Sequence, residues 1–125
     1  MNNAINWFEI PAADIERAKK FYEIIFDFEM PRLDIGDGLK MALFPALSGT
    51  VGGTIIQNSE RYVPSETQGP LLYLNANPDL QEVLDRVESA GGKITTPKRM
   101  ITEENGYMAV IIDSEGNRIA LHSNQ

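Results

Sequence analysis

The sequence predicts an α+β protein built from two tandem β-α-β-β-β units, and three observations carry that prediction. The segment Ile5-Asn-Trp-Phe-Glu-Ile-Pro-Ala-Ala-Asp-Ile15 returns in outline as Leu71-Leu-Tyr-Leu-Asn-Ala-Asn-Pro-Asp-Leu80, and each copy is a strand that runs into a helix. Each copy continues as a single apolar stripe at helical spacing. Behind each stripe come three short apolar runs parted by turn residues. Two copies of one supersecondary unit each leave an apolar face open, so they must close on one another. The groove between them is the expected place for a site.

In the first unit, residues 4–11 read as a strand with Trp7 and Glu9 on one face and Phe8 and Ile10 on the other. Pro11 and Ala12-Ala13 end it. Asp14 is the expected N-cap, and Ile15, Ala18, Tyr22 and Ile25 mark one face of a helix reaching about Phe26. Strands are expected at about 28–34, 39–44 and 52–57, broken by Gly36-Asp37-Gly38 and by the Ser48-Gly49 region. In the second unit, Asn77 is expected to cap a helix whose first turn holds Pro78, where a missing N–H costs nothing. Leu80, Val83, Val87 and Ala90 repeat the stripe, and Ala90-Gly91-Gly92 stops it. Strands follow at about 93–96, 107–112 and 117–123, parted by Asn105-Gly106 and by Ser114-Glu115-Gly116-Asn117. The units span 1–60 and 68–125 of a single domain, and residues 58–70 read as a polar linker.

Composition narrows the function classes. The chain has 125 residues and 42% hydrophobic content, enough for one core. It contains no cysteine, which excludes disulfides and thiolate metal sites and fits a reducing cytoplasm. The N-terminal residues lack the basic head and apolar run of a signal peptide, and no stretch approaches the roughly 20 apolar residues of a membrane span. A cytoplasmic protein without membrane contact is expected. The net charge of −7 argues against nucleic-acid partners, because such affinity rests on Lys and Arg neutralising phosphates.

Two motifs extend the reading. Trp-Phe-Glu-Ile-Pro-x-x-Asp-x-x-x-Ala-x-x-Phe-Tyr, from Trp7 to Tyr22, and Asp-Ser-Glu-Gly-Asn-Arg-Ile-Ala-Leu-His, from Asp113 to His122, resemble the glyoxalase, bleomycin-resistance and extradiol-dioxygenase group, the vicinal-oxygen-chelate superfamily. The resemblance covers essentially the whole chain. It implies eight strands in an incomplete barrel around a cavity, helices outside, and frequent homodimers. It also implies a divalent metal held by His and Glu from the first and last strands of each unit. The matching positions here are Trp7, Ile56, Leu71 (or Leu72 if the register slips by one) and Ala120. None of these side chains can bind a metal, so no metal cofactor is expected.

The remaining candidates are open to more than one reading. Glu9 shares a strand face with Trp7 and reads either as a general base in a partly apolar pocket or as a rim carboxylate that is paired or hydrated. His122, the single histidine, shares the face of Ala120; it is a proton shuttle, a partner of Glu9 in a two-ligand fragment completed by water, or a residue at a frayed strand end. Tyr73 and Asn75 alternate with Leu72 and Leu74, so their hydroxyl and amide can orient a ligand or serve the strand end. Arg118 can grip a carboxylate or phosphate, or sit in solvent with Asp113 or Glu115. Trp7 with Met41, Leu43 or Phe44, Ile56, Leu71 and Tyr107 suggests an apolar, aromatic wall.

Three functions compete. The first is a metal-free protein binding a small organic molecule, with Trp7, Tyr73 and Tyr107 as walls and Glu9, Asn75 and Arg118 as polar anchors. The second is a glyoxalase-like lyase or isomerase, rather than a dioxygenase, in which Glu9 abstracts a proton next to a carbonyl and His122 assists. The third is a dimeric interaction module.

Overall fold

The computed structural model describes residues 3–125. Element order is β1 (Trp7–Pro11), α1 (Ile15–Phe26), β2 (Arg32–Asp34), β3 (Lys40–Leu43), β4 (Gly52–Gln57), β5 (Tyr73–Asn75), α2 (Leu80–Val87), β6 (Lys93–Thr102), β7 (Gly106–Ile112) and β8 (Arg118–Ser123). This is β-α-β-β-β twice. Each unit forms its own four-stranded sheet, in the order β1-β4-β3-β2 and β5-β8-β7-β6. First and last strands pair in parallel and the rest are antiparallel. Among the described residues no helix is long and apolar enough to cross a membrane.

The two sheets do not close on each other. Their inner edge strands are β1 and β5, and no Cα of one lies within 8 Å of a Cα of the other. Paired strands lie about 4.8 Å apart, so a seam separates these edges. The units meet instead through the helices. Ile10, Ala42 and Ile55 from the first sheet and Leu74, Ala109, Ile111, Ile119 and Leu121 from the second form one core with Ile15, Phe21, Tyr22, Ile25, Leu80, Leu84 and Val87. The opposite sheet faces carry the alternate residues: Met41, Thr54 and Ile56 in the first unit, and Met108, Val110 and Ala120 in the second, all buried.

Helix α1 forms as the spacing predicts. The Asp14 carboxylate accepts from Arg17 N at 3.1 Å, and Ile15, Ala18, Phe21, Tyr22 and Ile25 are buried. Helix α2 differs from expectation at its start. Asp79, not Asn77, is the N-cap, accepting from Gln81 N at 2.9 Å. A carboxylate there also complements the positive helix end. Asn77 instead accepts from Asn124 N at 2.7 Å. Strand β6 runs on to Thr102, past the expected end near 96. Pro97 is tolerated because β6 is an edge strand with register shifts at Ile94/Thr96 and Thr96/Arg99. Strand β2 begins later than expected, because the chain before it is occupied otherwise: Met30 N donates to the Glu23 carboxylate at 2.8 Å.

The repeat extends to detail. Ile15 N, at the start of α1, donates to Gln57 Oε1 at the end of β4 (2.8 Å). Leu80 N, at the start of α2, donates to Ser123 Oγ at the end of β8 (2.9 Å). Each helix is thus seated on its own unit's last strand. Beside β1, adjacent glycines on β4 seat aromatic rings on opposite faces. A Cβ at Gly53 would lie 2.3 Å from the Phe8 ring, and one at Gly52 would lie 3.1 Å from the Trp7 indole.

Candidate functional site

The positions that the resemblance assigns to a metal do not fit one. Ile56 and Ala120 are buried alkyl groups, and Leu71 packs on Met108, Val110 and Ala120. Trp7 is half-exposed over Gly52, and its indole N–H points to Glu9 Oε2 at 3.4 Å. Divalent ions need imidazole or carboxylate donors converging on one point. Among the described residues no group of three His, Cys, Asp or Glu is placed to hold an ion.

The seam between β1 and β5 holds two clefts that share Phe8. The first, about 370 Å³, lies between β1 (Phe8, Glu9, Ile10, Pro11), the chain from Val63 to Leu72, and the start of β8 with Asn117, Arg118 and Ile119. The second, about 470 Å³, lies among Phe26, Phe28, Phe44, Gly52, Gly53, Tyr73 and Asn75. Both fall in the size range of small-molecule sites.

The first cleft carries the more organised polar chemistry. Tyr62 Oη donates to Glu9 Oε1 at 2.6 Å. That bond to a carboxylate, with some burial and the Glu9 charge, raises the Tyr62 hydroxyl above its ordinary pKa. On the far wall Arg118 Nη2 donates to Gly69 O at 3.3 Å, and its backbone N–H donates to Ser65 O at 3.3 Å. Asn117 ties the walls together: Nδ2 donates to Pro11 O at 2.6 Å and Oδ1 accepts from Ser65 N at 3.3 Å.

Asn117 belongs to a buried polar turn. Asp113 Oδ1 accepts from the N–H groups of Glu115 and Asn117, each at 2.9 Å, while Oδ2 accepts from Tyr22 Oη at 2.6 Å and Asn117 Nδ2 at 3.0 Å. The Glu115 carboxylate reaches the first unit, accepting from Ala13 N (2.9 Å), Asp14 N (2.8 Å) and Arg17 Nε (2.7 Å). Burial pushes the Asp113 carboxyl above its usual range despite its hydrogen bonds. Burial acts the same way on Glu115, but the bonds from Arg17, Asp14 and Ser114 outweigh it and hold that carboxyl below the usual range. Burial, then the Asp113 charge, drives the Tyr22 hydroxyl well above its ordinary value.

The predicted residues are thus divided. Glu9 and Arg118 line one cleft; Tyr73 and Asn75 line the other. Asn75 Oδ1 also serves the strand end, accepting from Asn77 N at 2.9 Å. Trp7, Ile56, Leu71 and Ala120 share the sheet faces away from the helices. Tyr107 does not, which corrects its placement as a wall beside Trp7: it pairs with Ser123 while Met108 and Val110 pair with His122 and Ala120, so its ring packs toward the helices with Lys98 Nζ 4.5 Å above it. His122 lines neither cleft, and its Nε2–H donates to Asn105 O at 2.6 Å in the β6–β7 turn. Arg118 pairs with neither Asp113 nor Glu115, because both carboxylates are buried in the turn. Sequence reasoning missed Tyr62, Ser65, Gln68 and Asn117. The one signal for the first was an aromatic side chain, followed by Val63, inside an otherwise polar linker.

A family model described as "Glyoxalase/Bleomycin resistance protein/Dioxygenase superfamily" matches residues 4–121. A "Glyoxylase-like domain-containing protein" of Didymella fabae is 28% identical over 123 residues, 97% of this chain and 94% of its own. Among solved structures, a glyoxalase/bleomycin resistance protein from Albidiferax ferrireducens is 17% identical, with a TM-score of 0.68 over 98% of this chain and 100% of its own. A glyoxylase/bleomycin resistance protein/dioxygenase domain from Frankia sp. is 17% identical, with a TM-score of 0.69 over 100% and 94%. A glyoxalase I variant from Zea mays is 21% identical, with a TM-score of 0.71 over 94% of this chain and 46% of its own, so this chain spans less than half of the maize protein. The architecture, two end motifs and the family match agree: the chain belongs to the glyoxalase/bleomycin resistance protein/dioxygenase superfamily.

Proposed function

We propose that this chain binds a small organic molecule in the seam cleft bounded by β1, the 63–72 segment and the start of β8, with no divalent metal at Trp7, Ile56, Leu71 and Ala120. The observation that carries this reading is the cleft's composition. The half-buried Phe8 and Leu72 and the exposed Val63 and Pro70 give it apolar surface beside a few fixed polar groups, Glu9, Asn117 and Arg118. An apolar lining with few oriented polar groups is how small-molecule sites combine affinity with specificity. The test is a thermal-shift screen of small acids, thiol-conjugated aldehydes and aromatic antibiotics, repeated on Val63→Trp. Val63 is 72% exposed, so a large ring there fills the cleft without touching the core. Stabilising hits that vanish in Val63→Trp support the reading; hits unaffected by it contradict it. Tight uptake of one equivalent of zinc, nickel or manganese contradicts the metal-free part.

One observation favours a second reading. Glu9 faces the cleft with a phenol hydrogen-bonded to it, an arrangement suited to a general base in a lyase or isomerase. Turnover of a thiol-conjugated aldehyde that is lost in Glu9→Gln with folding intact supports it. His122 has no part in this version, since it is tied to Asn105. In either reading the protein is a cytoplasmic homodimer, checked by light scattering on the purified chain and by fractionation of its cells.

A further inference from the structure

Glu9 and Arg118 are the charged residues lining the seam cleft, and they are of opposite sign. Opposite charges that share a cleft usually neutralise each other. Here, among the described residues, neither forms an ion pair with the other or with a third side chain. Each is nevertheless held: Glu9 by the Tyr62 hydroxyl at 2.6 Å and the Trp7 indole N–H at 3.4 Å, and Arg118 by Gly69 O at 3.3 Å. Neutral partners orient these groups without discharging them. A carboxylate with two neutral donors keeps acceptor capacity, and a guanidinium with one carbonyl acceptor keeps most of its N–H donors.

We infer that the cleft recognises a small zwitterion with an apolar middle, its ammonium at Glu9 and its carboxylate at Arg118. Phe8, Val63, Pro70 and Leu72, the accessible apolar groups of the cleft, take the body between the charges. The protein's own charge sharpens this. At −7 overall it repels a simple anion and attracts a cation, so Arg118 is what admits an acidic group. Charge-assisted hydrogen bonds at both ends, in a cleft that excludes part of the solvent, are stronger than neutral ones. This inference rests on the reading that the cleft binds an organic ligand at all.

Isothermal titration of the whole chain with five probes tests it. Phenylalanine carries its charges close together and 4-(aminomethyl)benzoate carries them at opposite ends of a ring. Benzylamine and benzoate supply one charge each, and 4-methylbenzyl alcohol supplies none. The expected result is that one of the zwitterions binds about tenfold or more tighter than either single-charge probe, as two linked contacts should. Glu9→Gln should reduce that zwitterion to the affinity of benzoate, and Arg118→Gln to that of benzylamine. Single-charge probes binding as tightly as both zwitterions overturn the inference on the unmodified protein, whatever the variants do. A zwitterion preference that survives both substitutions overturns it as well. If the neutral alcohol binds and charge adds nothing, this inference fails while the binding function stands; if none of the five binds, this inference fails and the binding function is decided by the thermal-shift screen.

Discussion

The two helix N-termini are built alike and held differently. Each begins at an Asp N-cap, and each donates its first N–H to a side chain at the end of its own unit's last strand, Gln57 for α1 and Ser123 for α2. Helix α1 has a further partner that α2 lacks. Glu115, from the other unit, accepts from Ala13 N, Asp14 N and Arg17. At α2 the additional contact is Lys98 on Asp79, within the same unit and partly exposed. Duplication therefore accounts for the fold, while only the start of α1 is clamped by a carboxylate from the other unit. The same Asp113–Asn117 turn that clamps α1 also ties Pro11 to Ser65 across the seam cleft. The candidate site lies where the halves differ.

Breaking the clamp should show this asymmetry most strongly. Glu115→Ala removes the acceptor of the part-buried Ala13 and Asp14 N–H groups ahead of α1 and of the half-exposed Arg17, and should cost about 2 kcal/mol in urea unfolding. Lys98→Ala, at the corresponding end of α2, should shift the midpoint far less. An equal loss at both ends would make the two helix starts equivalent and contradict the asymmetric clamp.

The paired glycines give the next contrast. Gly53→Ala drives a Cβ into the Phe8 ring on the core side and should cost about 2 kcal/mol, whereas Trp7 over Gly52 is half-exposed and can yield. Gly52→Ala should therefore be much milder in the same assay.

Acid titration separates the two buried carboxyls of the turn. Glu115 is depressed when folded, so its stabilisation is complete above its unfolded pKa and lost as pH falls through the folded value. Asp113 is raised when folded, so the native state takes up its proton first and gains stability as pH falls toward the unfolded value. Stability measured from roughly pH 3 to 6 should fall less steeply in Glu115→Gln and more steeply in Asp113→Asn. Matching slopes in both variants would contradict the assignment. The smallest effect is expected at the cleft rim, where Tyr62→Phe should cost no more than about 1 kcal/mol while weakening any cleft ligand.

These contrasts also mark what the sequence could disclose. Ile15, Ala18, Tyr22 and Ile25 announce α1 because helical spacing is local, and the turns at Asn105-Gly106 and Gly116-Asn117 mark the hairpins for the same reason. Asn77 and Pro78, a capping residue and a first-turn proline, spell a helix start two residues ahead of the Asp79 cap. Tyr107 was misplaced because its face is set by pairing with Ser123, a register that the neighbouring residues do not reveal. The cleft was the least legible part. Tyr62 meets Glu9 across 53 positions and Asn117 meets Pro11 across 106, so the run at 58–70 reads as a polar linker until the fold brings it to the seam.

Chemical-shift mapping of the uniformly labelled protein with 4-methylbenzyl alcohol and 4-(aminomethyl)benzoate tests the seam cleft most directly. The perturbed amides are expected to cluster at Phe8–Ile10, Gln68–Leu72 and Asn117–Ile119. Perturbations confined to Ile56, Ala120 and His122, on the sheet faces, would place the ligand elsewhere and contradict the seam-cleft reading.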